Sequence, residues 1–225
     1  MYLGNAEQKA KLAALKRGKS PEQKRVIDFF VGESSGGCGC LGKGSSGIVM
    51  DEYLKIVNDK VQALDLKNKA IAKIGLDETQ ISEIEPLVLC SFVYDDDVYY
   101  KFENNMVVTN QYSVTWIFFS AEQIYTYRFI FDTTSDNTWE ITKDFFYSDI
   151  TCFSTVREVK ERIDTSISSG CLKGGKESTT KTLYYVDRFS IVAPGTDYTV
   201  SMTNSPTMER SVQAAKAMLR EKKYR

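Results

Sequence analysis

The sequence predicts an α+β, mainly β, fold in which helices come first, antiparallel strands follow and one helix ends the chain. A stripe of apolar residues with helical spacing lies over residues 50–74. Short β-branched and aromatic runs, separated by turn residues, fill residues 85–203. An amphipathic stretch then runs from Pro206 to about residue 223. With 225 residues, 42% of them hydrophobic, the chain is long enough to bury a sizeable core.

The first predicted segment, residues 1–49, is helical and ends in a glycine-rich linker. Residues 5–17 are rich in Ala, Lys and Leu, a composition that favours a helix. Residues 20–23 read Ser-Pro-Glu-Gln, a capping-box pattern that predicts a second helix ending near residue 32. Because the apolar run over 26–31 is short, a strand there is the alternative interpretation.

The linker over residues 32–47 contains seven of the fourteen glycines. Cys38 and Cys40 are two candidate metal ligands, but a structural zinc site takes four ligands and the other cysteines are distant in sequence. Residues 37–43 imitate the glycine and lysine spacing of a P-loop, yet Gly44 stands where that motif needs a hydroxyl group. We therefore predict a linker that holds no metal and no cofactor.

Residues 50–84 form a second predicted helical segment. Its long helix, 50–74, has apolar residues at three- and four-residue steps: Leu54, Val57, Val61, Leu64 and Ile71. This stripe is a candidate interaction surface through which two copies would self-associate as a short coiled coil. Packing against the chain's own body is the alternative, and it is the commoner outcome for such a stripe. A second short helix is expected after Asp77.

The third predicted segment, residues 85–225, contains the strands and the last helix. Nine runs have strand composition: 87–94, 98–103, 106–110, 112–119, 124–131, 139–146, 151–159, 183–192 and 197–203. Residues 164–180 are predicted to form a long polar loop. We interpret the aromatic residues of the runs as a sheet core with cross-strand pairs, not as a stacking platform for nucleic acid. The last helix has one apolar stripe and can cover the open end of the sheet: Met208, Val212, Ala215 and Leu219.

Three short segments of this region point to a family. Residues 106–110 read Met-Val-Val-Thr-Asn, residues 146–150 read Phe-Tyr-Ser-Asp-Ile, and residues 189–191 read Phe-Ser-Ile before a Pro-Gly turn and the last helix. Together they resemble bacterial pleckstrin-homology-like (PH-like) domains over residues 85–223. The resemblance implies an antiparallel β-barrel or sandwich of about seven strands, capped by a C-terminal helix. Since nine runs have strand composition, some of them would merge or not be strands.

The resemblance also implies a class of function, because PH-like domains are binding modules for phosphoinositides, peptides or proteins. Their phosphoinositide site depends on a basic loop between the first two strands. Here that loop contains Asp95, Asp96 and Asp97, whose carboxylates would repel a phosphorylated headgroup. We therefore expect a non-catalytic module that docks a protein or peptide, with strand addition in a groove between a strand edge and the last helix. The alternatives are a membrane-surface adaptor for anionic lipid, and a small-ligand carrier or enzyme that uses the barrel mouth.

The charged and titratable residues limit which kinds of binding and catalytic sites the chain can form. Lys173, Lys176 and Lys181, in another rim loop of the predicted domain, are candidate anion contacts. The sequence has no histidine, which excludes Ser-His-Asp triads, Cys-His dyads and HExxH zinc sites, and we expect no catalytic residues. The net charge of −1 argues against nucleic acid as a partner. The two ends of the chain, residues 1–30 and 207–225, each have a net charge of +4, and would suit an acidic partner or membrane surface.

The cysteines and the hydropathy pattern indicate a compartment. Five cysteines, an odd number in a chain of this size, fit reduced thiols better than a disulfide framework. The first residues contain no apolar segment of the secretory type. No run approaches the roughly 18 apolar residues that a membrane span needs. We expect a cytoplasmic protein.

Overall fold

The computed structural model describes residues 5–31, 48–77, 85–103, 106–168 and 176–223. Within these residues the fold is α+β: four helices precede nine strands, and a fifth helix follows them. Every strand pair is antiparallel. No helix in this part of the chain is long and apolar enough to cross a bilayer.

The first two helices are α1, Asn5–Lys16, and α2, Pro21–Val31. The predicted capping box is confirmed: the Gln23 N–H donates to Ser20 Oγ at 3.1 Å, and the Ser20 N–H donates to Gln23 Oε1 at 3.0 Å. The alternative strand over 26–31 is wrong, because the apolar residues of this run are spaced for one helix face. That face buries Val26, Ile27 and Phe29.

The prediction of one continuous helix over residues 50–74 is wrong, because two separate helices lie there. Helix α3, Met50–Ala63, and helix α4, Leu66–Ile74, are separated by Asp65, which adopts a left-handed backbone with φ of +44°. Short polar residues such as Asp tolerate this region better than β-branched ones. Gly75, with φ of +76°, ends α4 as predicted. The short helix expected after Asp77 falls on residues 78–84, outside the described residues.

The nine strands form three sheets, which are not closed into a barrel. The main sheet has the order β1-β4-β5-β6, with β1 Leu87–Phe92, β4 Gln111–Phe119, β5 Gln123–Asp132 and β6 Thr138–Phe146. A third sheet has only two strands and is called the hairpin: β2, Tyr100–Glu103, and β3, Met106–Thr109. The second sheet has the order β7-β8-β9, with β7 Cys152–Ser168, β8 Lys176–Ala193 and β9 Thr196–Met202. The count of about seven strands is therefore wrong, since all nine predicted runs are strands.

The predicted loop over 164–180 is also wrong in large part. Strands β7 and β8 stay paired out to Ser168 opposite Lys176, so they form a long hairpin arm. Residues 163–168 and 176–182 are rich in Thr, Ser and Ile, and threonine and isoleucine have high strand propensity despite the polar character of the segment. Pairing with each other supplies the backbone hydrogen bonds that either strand alone would lack.

Strands β1, β4 and β5 of the main sheet are covered on both faces, which explains their nearly continuous apolar sequences, whereas the edge strand β6 is mostly exposed. One face packs against the second sheet and the last helix, α5, Pro206–Lys223, in a first core that includes Leu89, Phe189 and Leu219. The opposite face packs against α2, α3 and α4 in a second core that includes Tyr53 and Phe129. Successive residues of a strand point to opposite faces, so aromatic runs supply both cores. The aromatic residues thus form a sheet core, as predicted.

The last helix covers the end of the first core, as the sequence predicted. The Met208 N–H donates to Ser205 Oγ at 3.1 Å, which caps the helix start. Val212, Ala215 and Leu219 are buried in the first core, and Met208 packs against it. The division of the chain into three segments at residues 49 and 84 stays a prediction. Residues from α2, α3 and the main sheet pack together in the second core, so the segments are in contact.

Candidate functional site

Two adjoining grooves lie beside the second sheet, one next to α3 and one next to α5. The first, the α3 groove, has a volume of about 370 Å³ and runs between α3, the hairpin, the middle of β8 and the end of β9. Its walls include these side chains: Leu54, Val57, Tyr94, Met106, Tyr112, Tyr185, Asp187, Met202 and Asn204. The α3 groove is mainly apolar and aromatic, with Asp187 as an acidic group.

The second groove, the α5 groove, has a volume of about 340 Å³ and lies between β7 and α5. It is lined from β7 by Thr155, Val156 and Arg157, and from α5 by Glu209, Val212 and Gln213. It shares Asp187, Met202 and Asn204 with the α3 groove, so the two are neighbours. Arg157, Asp187 and Met202 form one row across β7, β8 and β9, so this groove lies between a face of the second sheet and the last helix.

The α3 groove presents tyrosine hydroxyls and apolar surface rather than charge. Tyr94 Oη donates to the Val107 carbonyl at 3.3 Å, and burial raises the pKa of Tyr94 to about 12. Its phenol is therefore neutral at physiological pH. Met106 and Tyr185 are 42% and 66% exposed, so both offer apolar surface that the fold leaves in contact with solvent. Exposed aromatic and methionine side chains are typical of interaction surfaces.

Asp187 marks the junction of the two grooves and is already paired. Arg157 Nε and Nη2 donate to its two carboxylate oxygens at 2.9 and 3.2 Å, a bidentate arrangement. The guanidinium also lies over the ring of Tyr185, 5.9 Å from its centroid. Arg157 is half-exposed, so it can meet a bound molecule while it holds Asp187 in place.

The predicted interaction stripe of the long helix packs on the chain's own body. Val57 is only 2% exposed, and the other four residues are partly buried against the second core: Leu54, Val61, Leu64 and Ile71. Leu54 and Val57 also line the α3 groove. Self-association through this stripe stays a prediction, and the packing on the chain's own core weighs against it.

Two of the three predicted anion contacts lie on strand β8 rather than in a loop. Lys173 lies outside the described residues, and Lys176 begins β8, with its side chain likewise outside them. Lys181 is on β8 and forms an ion pair with Glu161 at 2.7 Å. These lysines were predicted to lie in a loop because the polar composition of the segment hid the long pairing of β7 with β8.

The acidic turn lies where the sequence placed it. Asp95, Asp96 and Asp97 follow β1 and are all exposed. The Asp95 carbonyl accepts a hydrogen bond from Tyr100 Oη at 2.9 Å, which ties the turn to the hairpin. Three exposed carboxylates at this position weigh against an anionic lipid ligand.

A polar cluster between the two larger sheets was not predicted. Arg128 Nε donates to Ser113 Oγ at 2.9 Å, and no carboxylate of the described residues forms an ion pair with Arg128. Thr115 Oγ1 and Tyr198 Oη are buried there close to each other, and neither forms a hydrogen bond of good geometry with the described residues. Burial raises the pKa of Tyr198, against the opposite effects of the Thr126 hydroxyl, Arg128 and the Thr115 hydroxyl. The signal was present in the sequence, because Arg128 interrupts an apolar strand at an inward position.

The thiols and carboxylates of the described residues form no metal site, since no group of three or more potential ligands comes together among them. Burial raises the pKa of the Cys90 thiol to about 11, so this cysteine behaves as a small apolar side chain. Cys152 is exposed and free. Cys38 and Cys40, the candidate metal ligands, lie outside the described residues.

Comparison of the chain with protein-family models, with curated proteins and with solved structures finds no match. The two grooves and the polar cluster are therefore the structural basis for a proposed function. The grooves are open to solvent, lined by apolar and paired charged groups, and positioned by helices α3 and α5, the hairpin and strands of both larger sheets. These are properties of a binding surface.

Proposed function

We propose that this chain is a non-catalytic binding module of PH-like type that docks a protein or peptide segment in the α3 and α5 grooves. The observation behind this proposal is that the two grooves share Asp187, Met202 and Asn204. An extended segment that crosses this junction would place apolar side chains in the α3 groove and polar ones in the α5 groove. Peptide recognition commonly combines such pockets for alternate side chains.

The order of the strands supports the PH-like part of the proposal. When the β2–β3 hairpin is set apart, the four strands of the main sheet, the three of the second sheet and α5 correspond to the seven strands and closing helix that the resemblance implies. The hairpin is then an insertion between the first two strands of the main sheet. The Thr203 N–H donates to the Cys90 carbonyl at 3.0 Å, so the end of β9 meets β1 and brings the two sheets together along one side.

A peptide library displayed on phage, selected against the full chain, tests the proposal. Met106→Glu places a charge in the α3 groove, and Glu209→Lys reverses a charge in the α5 groove. We expect selected peptides to lose affinity roughly tenfold or more with at least one of these variants, as removal of a central contact usually does. Both residues are exposed, so the fold should tolerate the changes.

Two matched variants serve as controls for the library experiment. Val49→Glu adds the same charge at a residue that is 62% exposed and lines neither groove. Glu122→Lys makes the same reversal at an exposed residue away from both grooves. The proposal fails if no peptide is selected, or if the groove variants bind the selected peptides as tightly as the controls do.

The polar cluster supports a second candidate function, the carriage of a small anion between the sheets. Among the described residues Arg128 donates one hydrogen bond, to Ser113 Oγ, and the buried hydroxyls of Thr115 and Tyr198 beside it form none of good geometry. Buried polar groups are normally satisfied, so a bound carboxylate or phosphate group would complete this cluster. A thermal shift with inorganic phosphate or acetate that disappears in Arg128→Gln would favour this function, because ligand binding to the folded state raises its stability. Equal shifts in both proteins would remove it.

A further inference from the structure

The outer edge of β7 pairs with no other strand of the described residues. β7 pairs with β8 on one side and is the end strand of the second sheet. Side chains on both of its faces are exposed at Thr155, Val156 and Arg157, as expected for an edge. Such an edge presents a row of free N–H and C=O groups to any strand that can align with it.

The charges along this edge are complementary to themselves. Residues 157–161 read Arg-Glu-Val-Lys-Glu. When a second copy aligns antiparallel with Val159 opposite Val159, Arg157 faces Glu161 of the second copy and Glu158 faces Lys160 of the second copy. Two-fold symmetry repeats both contacts, so every charge in the segment meets an opposite charge.

The same charges disfavour the neighbouring registers. The outward N–H and C=O groups of a strand belong to alternate residues, so one copy can slip along the other only in steps of two residues. A slip in one direction places the two Glu158 side chains opposite each other, and a slip in the other direction places the two Lys160 side chains opposite each other. Like charges directly opposite each other destabilise a strand pair, so the alignment centred on Val159 is favoured over both neighbouring registers.

The charge pairs within one chain continue this pattern across the contact. Arg157 is held by Asp187 and Glu161 by Lys181, so the pairing would create a row of alternating signs from Asp187 to Lys181 of the second copy. On the opposite face, Arg188 Nε donates to Glu158 at 2.9 Å, and Lys160 of the second copy would extend that row. Charged residues often protect an edge from pairing, but self-complementary charges do not repel a second copy.

Apolar side chains lie at the centre of the contact. Val159 is 58% exposed, and Tyr185, its partner on β8, is 66% exposed. Two copies would therefore align Tyr185 and Val159 of one with Val159 and Tyr185 of the other in a single row. Cross-strand pairs of aromatic and β-branched residues stabilise antiparallel sheets.

We propose that two copies of this chain associate through antiparallel pairing of β7 with β7, centred on Val159, into one six-stranded sheet. The partner is a second copy because the segment is complementary to its own sequence in one register. Tyr185 and Asp187 share a face of the sheet with Val159. The dimer therefore presents its two sets of grooves on the same side, where a partner with two binding segments can engage both.

Sedimentation equilibrium of the full chain over a range of concentrations tests this pairing. Wild type is expected to dimerise, and Val159→Glu, which brings two carboxylates together on the dyad, is expected to raise the dimer dissociation constant about tenfold or more. Val159→Thr keeps the β-branched shape and is expected to dimerise like wild type. Arg157→Glu should also weaken the dimer, because it places a carboxylate opposite Glu161 of the second copy and beside Asp187 of its own chain. Thermal denaturation of each variant reports any loss of the fold.

A cysteine scan reports the register itself. Val159→Cys places the two thiols opposite each other on the dyad and is expected to form a disulfide-linked dimer under mild oxidation. Val156→Cys, equally accessible on the same strand, would lie about 20 Å from its copy, because six residues separate them in the antiparallel pairing, and it should not cross-link above the wild-type background. A monomer at all concentrations, a dimer that tolerates Val159→Glu, or equal cross-linking of both cysteine variants overturns the proposal. Since Val159 lines neither groove, loss of the dimer leaves the peptide-binding test unaffected.

Discussion

Tyr53 donates a buried hydrogen bond from its hydroxyl to the backbone carbonyl of Thr109, with 2.5 Å between the two oxygens. Tyr53 lies on α3 and Thr109 ends β3, so this bond joins the helical segment to the point where the hairpin meets the main sheet. The same hydroxyl lies 3.2 Å from Thr133 Oγ1. Burial raises the pKa of Tyr53 well above its usual value, which keeps the phenol a neutral donor.

Tyr53→Phe tests the strength of this connection. The variant keeps the buried ring but removes the only group that α3 donates to Thr109, and a buried carbonyl that loses its donor costs about 1–2 kcal/mol. We expect the free energy of unfolding in urea to fall by that amount. Tyr99→Phe, at an exposed tyrosine, is the control and should change little. Equal unfolding midpoints for the two variants would show that the bond adds no stability.

Asn110 is the centre of a second buried connection. Its Nδ2 donates to Asp132 Oδ1 at 2.9 Å, and its Oδ1 accepts from the Tyr99 N–H at 2.7 Å. Asn110→Ala removes both bonds and leaves the Asp132 carboxylate with fewer donors, so we expect a loss of roughly 2–3 kcal/mol, measured by urea denaturation. Asn137→Ala, at an exposed position, should cost far less. A small loss for Asn110→Ala would mean that water replaces the amide without penalty.

Alkaline pH should destabilise the fold through its buried tyrosines. Burial raises the pKa of Tyr94 in the folded state to about 12, whereas an unfolded tyrosine ionises near pH 10. The folded state holds this proton more tightly, so its stabilising effect is complete below about pH 10 and is lost as the pH rises towards 12. Urea midpoints across this range should fall, and fall less steeply in Tyr94→Phe. An identical slope for both proteins would contradict the assignment to Tyr94.

Leu219 tests whether α5 is part of the core rather than an appendage. Its side chain is buried in the first core between the two larger sheets. Leu219→Ala would remove apolar contacts and leave a cavity, which we expect to cost about 2–5 kcal/mol in urea unfolding. Leu15→Ala, at a half-exposed leucine of α1, is the matched control. If both substitutions cost the same small amount, α5 contributes little to the core.

Local patterns were enough to predict most elements of this fold. The capping box at residues 20–23 and the apolar stripe of α5 each depend on side chains a few residues apart, so their signal is present in the sequence. The break at Asp65 was not predictable in this way, because the apolar spacing continues past it. The arm formed by β7 and β8 was missed for a related reason. Its polar residues form strands only because each strand pairs with the other.

The candidate sites depended more strongly on the tertiary structure. Leu54 and Val57 were predicted as an interaction surface, but the fold packs them on the second core and leaves only part of them at the α3 groove. Asp187, Met202 and Asn204 share no sequence pattern, and the junction of the grooves exists because β8, β9 and the start of α5 meet there. In the sequence, Arg128 is visible only as a charged residue within an apolar strand, and its neighbours in the cluster come from other strands.

The sequence by itself determined the α+β class, the nine strands and the helix that covers the first core, because residue spacing decides which side chains share a face. It also contained the self-complementary charges of residues 157–161. Only the tertiary structure decided that these charges lie on the end strand of the second sheet, since the order β7-β8-β9 follows from packing between distant segments. Strand order is set by which apolar faces can be buried together, and that depends on the whole chain.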